Sequence, residues 1–275
     1  MANRFRIMLH VPVTLLSDAR GFTLPQAPGI SYAGRAFFFA RRPVLILISA
    51  LVLSLSAPSF AVAQEQQPGE LTPKASALRG AILDSIKLLL IEHSSRIAFQ
   101  SKTRRELAGP FFKDYVRSLK FPKTWKDGDR WYVNYVGHPI HGAAAGFIWL
   151  DQVDGSHDPS LGFSKGYWAS RGRATAWAAS YSIQFEIGPF SEASIGNVGM
   201  HPNTTGWVDH VVTPVGALGF MVAEDALDRF VISRLEKSTS NRKLQKFYRA
   251  VMNPSRSLSN AAQGRAPWFR AARGL

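Results

Sequence analysis

The chain has 275 residues and a net charge of +14 from 33 Lys+Arg against 19 Asp+Glu, which allows one or two domains with a sizeable core. Hydrophobic residues make up 46% and aromatics 12%, which excludes a disordered chain. The absence of cysteine excludes disulfides, thiolate zinc sites, a cysteine nucleophile and a diacylglyceryl anchor.

Residues 1–63 read as an N-terminal extension that ends in a signal peptide. Arg41 and Arg42 supply a positive start, and Val44 to Leu55 is apolar apart from small serines. Ala61-Val62-Ala63 is a small-x-small cleavage site. The polar Q-E-Q-Q-P-G-E that follows favours cleavage over a retained anchor. Forty residues ahead of the basic pair is unusual for a leader and points to an extended leader or a later start codon. Residues 64–74 are rich in Gln, Glu and Pro and read as a linker.

Residues 75–252 are expected to form a helical domain. From Ala75 to Phe99, Leu78, Ile82, Ile86, Leu89 and Leu90 recur at helical spacing. F-F-K-D-Y-V-R-S-L-K, from Phe111, is a candidate short helix, and K-D-G-D, from Lys126, a turn. Trp131 to Leu150 contains no Asp, Glu, Lys or Arg. Pro139 there suits the first turn of a helix, with His138 as its N-cap. Gly142 and Gly146, four apart, permit close approach of a second helix. Tyr167 to Glu186 reads as a helix ended by Gly188-Pro189, and Val208 to Leu235 as another with Pro214 early in it. Residues 240–252 suit a basic helix. Residues 253–275, with Arg256, Arg265, Arg270 and Arg273 and no acid, read as a basic C-terminal tail. The expected fold is all-α: a compact bundle of four or five helices, preceded by the signal segment and followed by that tail.

Two helix starts resemble each other. V-N-Y-V-G-H-P-I (Val133 to Ile140) matches V-D-H-V-V-T-P-V (Val208 to Val215), and Gly-Phe follows each, at 146–147 and 219–220. The match makes Asn134 and Asp209 equivalent. It would gather His138, His141, Asp209 and His210 at one pole of the bundle.

Polar residues on apolar helices are the candidates for chemistry, because buried imidazoles and carboxylates are costly unless paired or metal-bound. The candidate catalytic cluster is His138, His141, Glu186, Asp209 and His210. His138 and His141, three apart, share a helix face and with a carboxylate would suit zinc or iron, although no H-E-x-x-H string occurs. A His–carboxylate pair could instead activate water, or a serine such as Ser191 or Ser194. In a purely structural role, His138 caps a helix, Asp209 caps the next or pairs with Arg171 or Arg173, and Glu186 pairs with an arginine. Glu224 and Asp228 then offset the Arg-rich end. No cofactor motif is present, and no cofactor is expected beyond such a metal. Nothing resembles a nucleic-acid-binding motif, so the expected partner of the basic C-terminal region is anionic lipid headgroups or an envelope protein.

The series Asn134, His138-Pro139, Gly142, then Asp209, Thr213-Pro214, Gly216, over roughly residues 131–235, resembles an uncharacterised group of bacterial envelope proteins with N-x-x-x-H-P-x-x-G and D-x-x-x-T-P-x-G motifs. The resemblance implies an exported, membrane-associated helical domain of the periplasm and carries no activity. The leading functional reading is a structural or interaction protein of the envelope. The alternative is a hydrolase acting on a lipid or cell-wall substrate.

Overall fold

The computed structural model describes residues 73–107, 109–119, 122–155, 161–195 and 205–274. The signal reading of 1–63 lies outside them. The described residues are helical, with one isolated bridge between Thr124 and Gly206 in place of any strand. In order they form α1 (Pro73–Phe99), α2 (Ser101–Glu106), α3 (Phe111–Ser118), α4 (His138–Gln152), α5 (Lys165–Ile187), α6 (Trp207–Leu227), α7 (Ser233–Lys237), α8 (Arg242–Met252) and α9 (Pro254–Ala262). Turns of π-helix, Val133–Gly137 and Asp228–Ile232, lead into α4 and α7. None of these helices is long and apolar enough to cross a membrane. The last two residues of the expected linker, Pro73 and Lys74, already belong to α1.

Helix α4 is the centre of the bundle, and almost every side chain from His138 to Asp151 is buried. One core cluster joins Ala144, Ala145 and Ile148 to Ala81, Leu88 and Leu89 of α1, Tyr181 and Phe185 of α5, and Ala262 of α9. The other joins Ala143, Phe147 and Leu150 to Ala174 and Ala178 of α5 and Ala217 and Met221 of α6. The small residues of α4 let three helices approach one axis.

The expected helix start at Pro139 is displaced. The chain is already helical at Gly137, and His138 makes no cap. A proline ring inside an α-helix collides with the carbonyl four residues back; the wider π turn before Pro139 relieves that collision. Pro214 sits inside α6. Nearby, the carbonyl of Asp209 accepts a hydrogen bond from the Ser182 hydroxyl of α5 (3.1 Å), so α5 helps satisfy the backbone there.

The two proline helices pack against each other in parallel. A Cβ on Gly142 would meet the Thr213 methyl at 2.7 Å and Ala217 at 3.2 Å; on Gly146 it would meet Met221 at 2.6 Å. Residues 142 and 146 thus face 217 and 221, the offset of 75 that relates the two proline motifs. Gly216 in turn faces Pro139 at 2.5 Å. Helix α5 runs antiparallel between them, bringing its C-terminal Glu186 to the start of α4.

Helix α1 corrects one reading. Its buried side carries Ala81, Leu88 and Leu89, whereas Leu78, Ile82 and Ile86 are exposed. Ile82, Ile86, Leu89 and Leu90 instead wall an apolar groove of about 470 Å³ with Trp177 and Phe190. Both faces of α1 are apolar, so periodicity did not select the one that meets the core.

Residues 253–274 are built into the bundle. Glu224 accepts the backbone N–H groups of Ser255 (2.8 Å) and Arg256 (3.0 Å) and so closes the N-terminus of α9. Asp225 is shared by Arg256 (2.9 Å) and Arg171 (2.5 Å). Arg265 pairs with Asp151, Arg270 with Asp228 (3.1 Å), and Arg273 with Asp228 and Glu236. The basic tail is therefore an internal ion-paired layer, because carboxylates distant in sequence converge on it. The offsetting role expected of Glu224 and Asp228 is seen.

Glycines 216 and 219 separate packing from helix propensity. Gly216→Ala should destabilise by about 1–3 kcal/mol, because the Pro139 ring cannot swing away. Gly219 has nothing within 4 Å of an added Cβ. Gly219→Ala should therefore leave stability unchanged or raise it by up to ~1 kcal/mol. Urea unfolding of both variants checks the contrast.

Candidate functional site

The start of α4, the end of α5 and the start of α6 meet at one pole. There His138, Glu186 and Asp209 each offer one ligand atom, and these atoms lie within 4.8 Å of one another. All three residues are buried. The His138 ring sits between the carboxylates: Nε2 is 3.5 Å from Asp209 Oδ1, and Nδ1 is 3.8 Å from Glu186 Oε1. The Thr213 hydroxyl, on the next turn of α6, is 3.4 Å from Nδ1. Glu186 Oε1 and Asp209 Oδ1 have no hydrogen-bond partner.

A second loop completes the pole. The backbone N–H groups of Trp207 and Val208 donate to the carbonyls of Thr124 and Trp125 (both 3.0 Å), which ties residues 124–125 to the start of α6. Gly206 is needed there, since a Cβ would lie 2.6 Å from the Trp125 carbonyl oxygen. This anchoring sets Asp127 beside Asp209. Asn134 donates to Asp127 (2.7 Å). Asn134 and Asp209, equivalent in the repeated motif, thus both meet Asp127.

A ring of further polar residues surrounds Phe185. His141 stacks edge-on to His138, with centroids 4.7 Å apart, but its Nδ1 faces Glu92 Oε2 at 3.2 Å. Tyr181 donates to the same Glu92 oxygen (2.8 Å). His93 stacks on Phe185 and lies 3.9 Å from Glu192, which pairs with Arg96 at 2.5 Å. Asp127 and Glu192 also line a cleft of about 450 Å³ with Arg96, Lys102, Asp129 and Arg130. The cleft therefore reaches the wall of the buried cluster.

Of the five residues expected from sequence, His138, Glu186 and Asp209 come together and His141 lies alongside. His210 does not join them; it is half-buried against Trp207, with ring centroids 6.0 Å apart. The structural pairings expected for this group are replaced. Arg171 goes to Asp225 and Arg173 to Asp154, leaving Asp209 to His138. Ser191 and Ser194 use their hydroxyls on each other's backbone N–H groups (2.7 and 3.2 Å), so neither is poised as a nucleophile. Sequence reading missed Glu92, His93, Asp127 and Thr213 as site residues. The adjacent Glu92-His93 pair in an apolar helix was the available signal.

Burial sets the protonation. Desolvation, then the neighbouring Glu186 and Asp127, pushes the Asp209 carboxyl up to about 10. Desolvation, then Glu192, raises Glu186 well above the carboxylate range. Desolvation, then His141, holds His138 well below the usual imidazole value, so its ring is neutral at pH 7. A neutral imidazole beside carboxylates relieved of their protons is the state that binds a cation.

No family model, curated protein or solved structure matches the chain.

The shift of Asp209 has a definite sign. The folded state holds a proton that the unfolded chain releases near pH 4, so folding is penalised increasingly as pH rises from about 4 toward 10. Asn at 209 is neutral throughout. In EDTA, the melting temperature of Asp209→Asn relative to the unsubstituted protein should therefore rise steadily between about pH 5 and pH 9. Circular-dichroism melts across that range provide the check.

Proposed function

We propose that the protein is a metal-dependent hydrolase whose centre is one divalent cation held by His138, Glu186 and Asp209. The observation that carries this reading is their convergence without an arginine of their own. Elsewhere in the bundle Asp225, Asp228 and Glu236 are met by arginines and Glu224 by backbone N–H groups. A structural role accounts for those carboxylates; it leaves the orphaned oxygens of Glu186 and Asp209 unexplained.

The donor set fits such an ion. Ligands about 2.1 Å from one ion lie roughly 3.0–3.5 Å apart in octahedral or tetrahedral geometry, so atoms that now lie within 4.8 Å of one another close by up to about 1.5 Å when the ion binds. One imidazole and two carboxylates suit Mn²⁺, Fe²⁺ or Zn²⁺ and leave coordination positions for water. A bound cation lowers the pKa of that water to about 7. Asp127, beside Asp209 and on the cleft wall, is placed to take the water's proton. The activated water would form the bond to an acyl or phosphoryl centre, the ester bond would break, and the leaving oxygen would take the proton back from Asp127.

A lipid or cell-wall substrate is supported by the surroundings. The cleft wall sets Arg96, Lys102 and Arg130 beside Asp127, Asp129 and Glu192, which suits a polar substrate group. The apolar groove reaches Tyr181, which is linked through Glu92 to His141. The leader-like segment before residue 64 and the short envelope-protein motifs support a periplasmic location for this activity.

Metal titration of the purified chain tests the reading. Mn²⁺, Fe²⁺ or Zn²⁺ should bind at one equivalent. At 100 times the dissociation constant, the ion adds about 2.7 kcal/mol, which raises the melting temperature by roughly 5–10 °C. His138→Ala and Asp209→Asn should remain folded and lose both binding and shift. If none of the three ions binds, or both variants bind as well as the unsubstituted chain, the metal centre is lost. If they bind normally in the variants but the variants only melt earlier, the cluster is structural.

A further inference from the structure

Helix α8 is inside out. In an ordinary surface helix the apolar stripe faces the core and the charges face water. Here Arg249 is 2% exposed, while Leu244, Phe247 and Val251 are 41%, 57% and 58% exposed. Spacings of three and four put these three side chains on one face, and Arg249 lies on the opposite one.

The inversion is fixed by the ion-paired layer beneath. Arg249 reaches Glu236 through Nε (2.5 Å) and Nη2 (3.2 Å) and donates to the Arg273 carbonyl (2.8 Å). Removing this arginine from its carboxylate would strand a buried charge, so α8 cannot rotate to bury Phe247. The start of the helix is also held, since Asn241 accepts from the backbone N–H groups of Lys243 (3.0 Å) and Leu244 (3.4 Å). The outward apolar face is therefore a rigid feature.

One flank carries Lys243 and, further round, Lys246, while Arg242 lies on the Arg249 side of the helix. Arg242, Lys243 and Lys246 lie on the same helix, and residues 242–252 contain no acid. Among the described residues, no carboxylate pairs with these three cations, and Lys246 instead lies 5.0 Å from the centre of the Trp268 ring. Eleven residues make a helix about 16 Å long, too short to cross a bilayer core of about 30 Å. An apolar face with a basic margin, on a helix too short to span, suits the interface of an anionic membrane.

We infer that α8 is a membrane-docking helix: Leu244, Phe247 and Val251 enter the headgroup–acyl boundary of an anionic leaflet, and Lys243 and Lys246 bind its headgroups. This differs from the role first expected for the arginines after residue 253, which are spent on internal carboxylates. It does not depend on the hydrolase reading.

The cysteine-free chain allows a direct test. A single Val251→Cys substitution in the full chain is labelled with an environment-sensitive fluorophore. Vesicles of phosphatidylcholine with phosphatidylglycerol should shift its emission to the blue; pure phosphatidylcholine should not. Lys243→Glu/Lys246→Glu in the same labelled chain should raise the vesicle concentration needed by about fivefold or more per cation reversed. Circular dichroism confirms that the variants are folded. Co-sedimentation with anionic vesicles while the label stays in water would overturn the inference, because another segment then does the binding. A concentration-dependent blue shift without vesicles, matched by a dimer in size-exclusion chromatography, would also overturn it and assign the face to a second copy.

Discussion

Everything at the candidate site depends on how closely α4 and α6 approach. Gly142, Gly146 and Gly216 leave no room for a Cβ, and they bring Thr213, Met221 and Pro139 into direct contact across the interface. Because the two helices run parallel in register, their first turns come to the same end. His138 and Asp209 meet there, and α5, returning between them, adds Glu186. Bulk at these glycines would move ligand atoms that now lie within 4.8 Å of one another.

The bundle treats its buried charges in two ways. At the C-terminal layer, carboxylates and arginines neutralise each other: Arg171 and Arg256 share Asp225, and Arg270 and Arg273 share Asp228. Removing one member of such a buried pair costs several kcal/mol, roughly 3–5, so this layer fixes how α6, α8 and α9 sit. At the opposite treatment, His138, Glu186 and Asp209 have one another and no arginine of their own. Desolvation is then the largest influence, raising the two carboxyls and depressing the imidazole. Perturbation of this kind clusters at functional sites. The same ion-paired layer that stabilises the fold also turns α8 outward, so the internal electrostatics shape the outer surface.

Much of the fold was legible. The helical class followed from periodicity, and the end of α5 followed from Gly188-Pro189. The repeated H-P-x-x-G and T-P-x-G strings, with their glycines, anticipated the central interface. His138, Glu186 and Asp209 stood out as polar residues in apolar surroundings. Less legible was everything that depended on which face met which neighbour. The helical spacing of Leu78, Ile82 and Ile86 did not say which face meets the core; Ile82 and Ile86 wall a groove, because α1 is apolar on both sides. The arginines after residue 253 looked like a solvated tail, because their carboxylates lie in α4, α6 and α7. His210 looked equivalent to its neighbour Asp209 and points elsewhere, since adjacent residues on a helix do not share a face.

The sequence by itself determined that the chain is helical, that two proline-marked helices pack through small residues, and that a few costly polar side chains need partners. Composition and spacing carry that information because propensity and steric size are local properties. The tertiary structure alone decided which carboxylate meets which base. Asp127 from a loop, Glu92 from α1 and Asp225 from α6 meet Asp209, His141 and Arg171 across 82, 49 and 54 residues of chain, and that choice is made by packing.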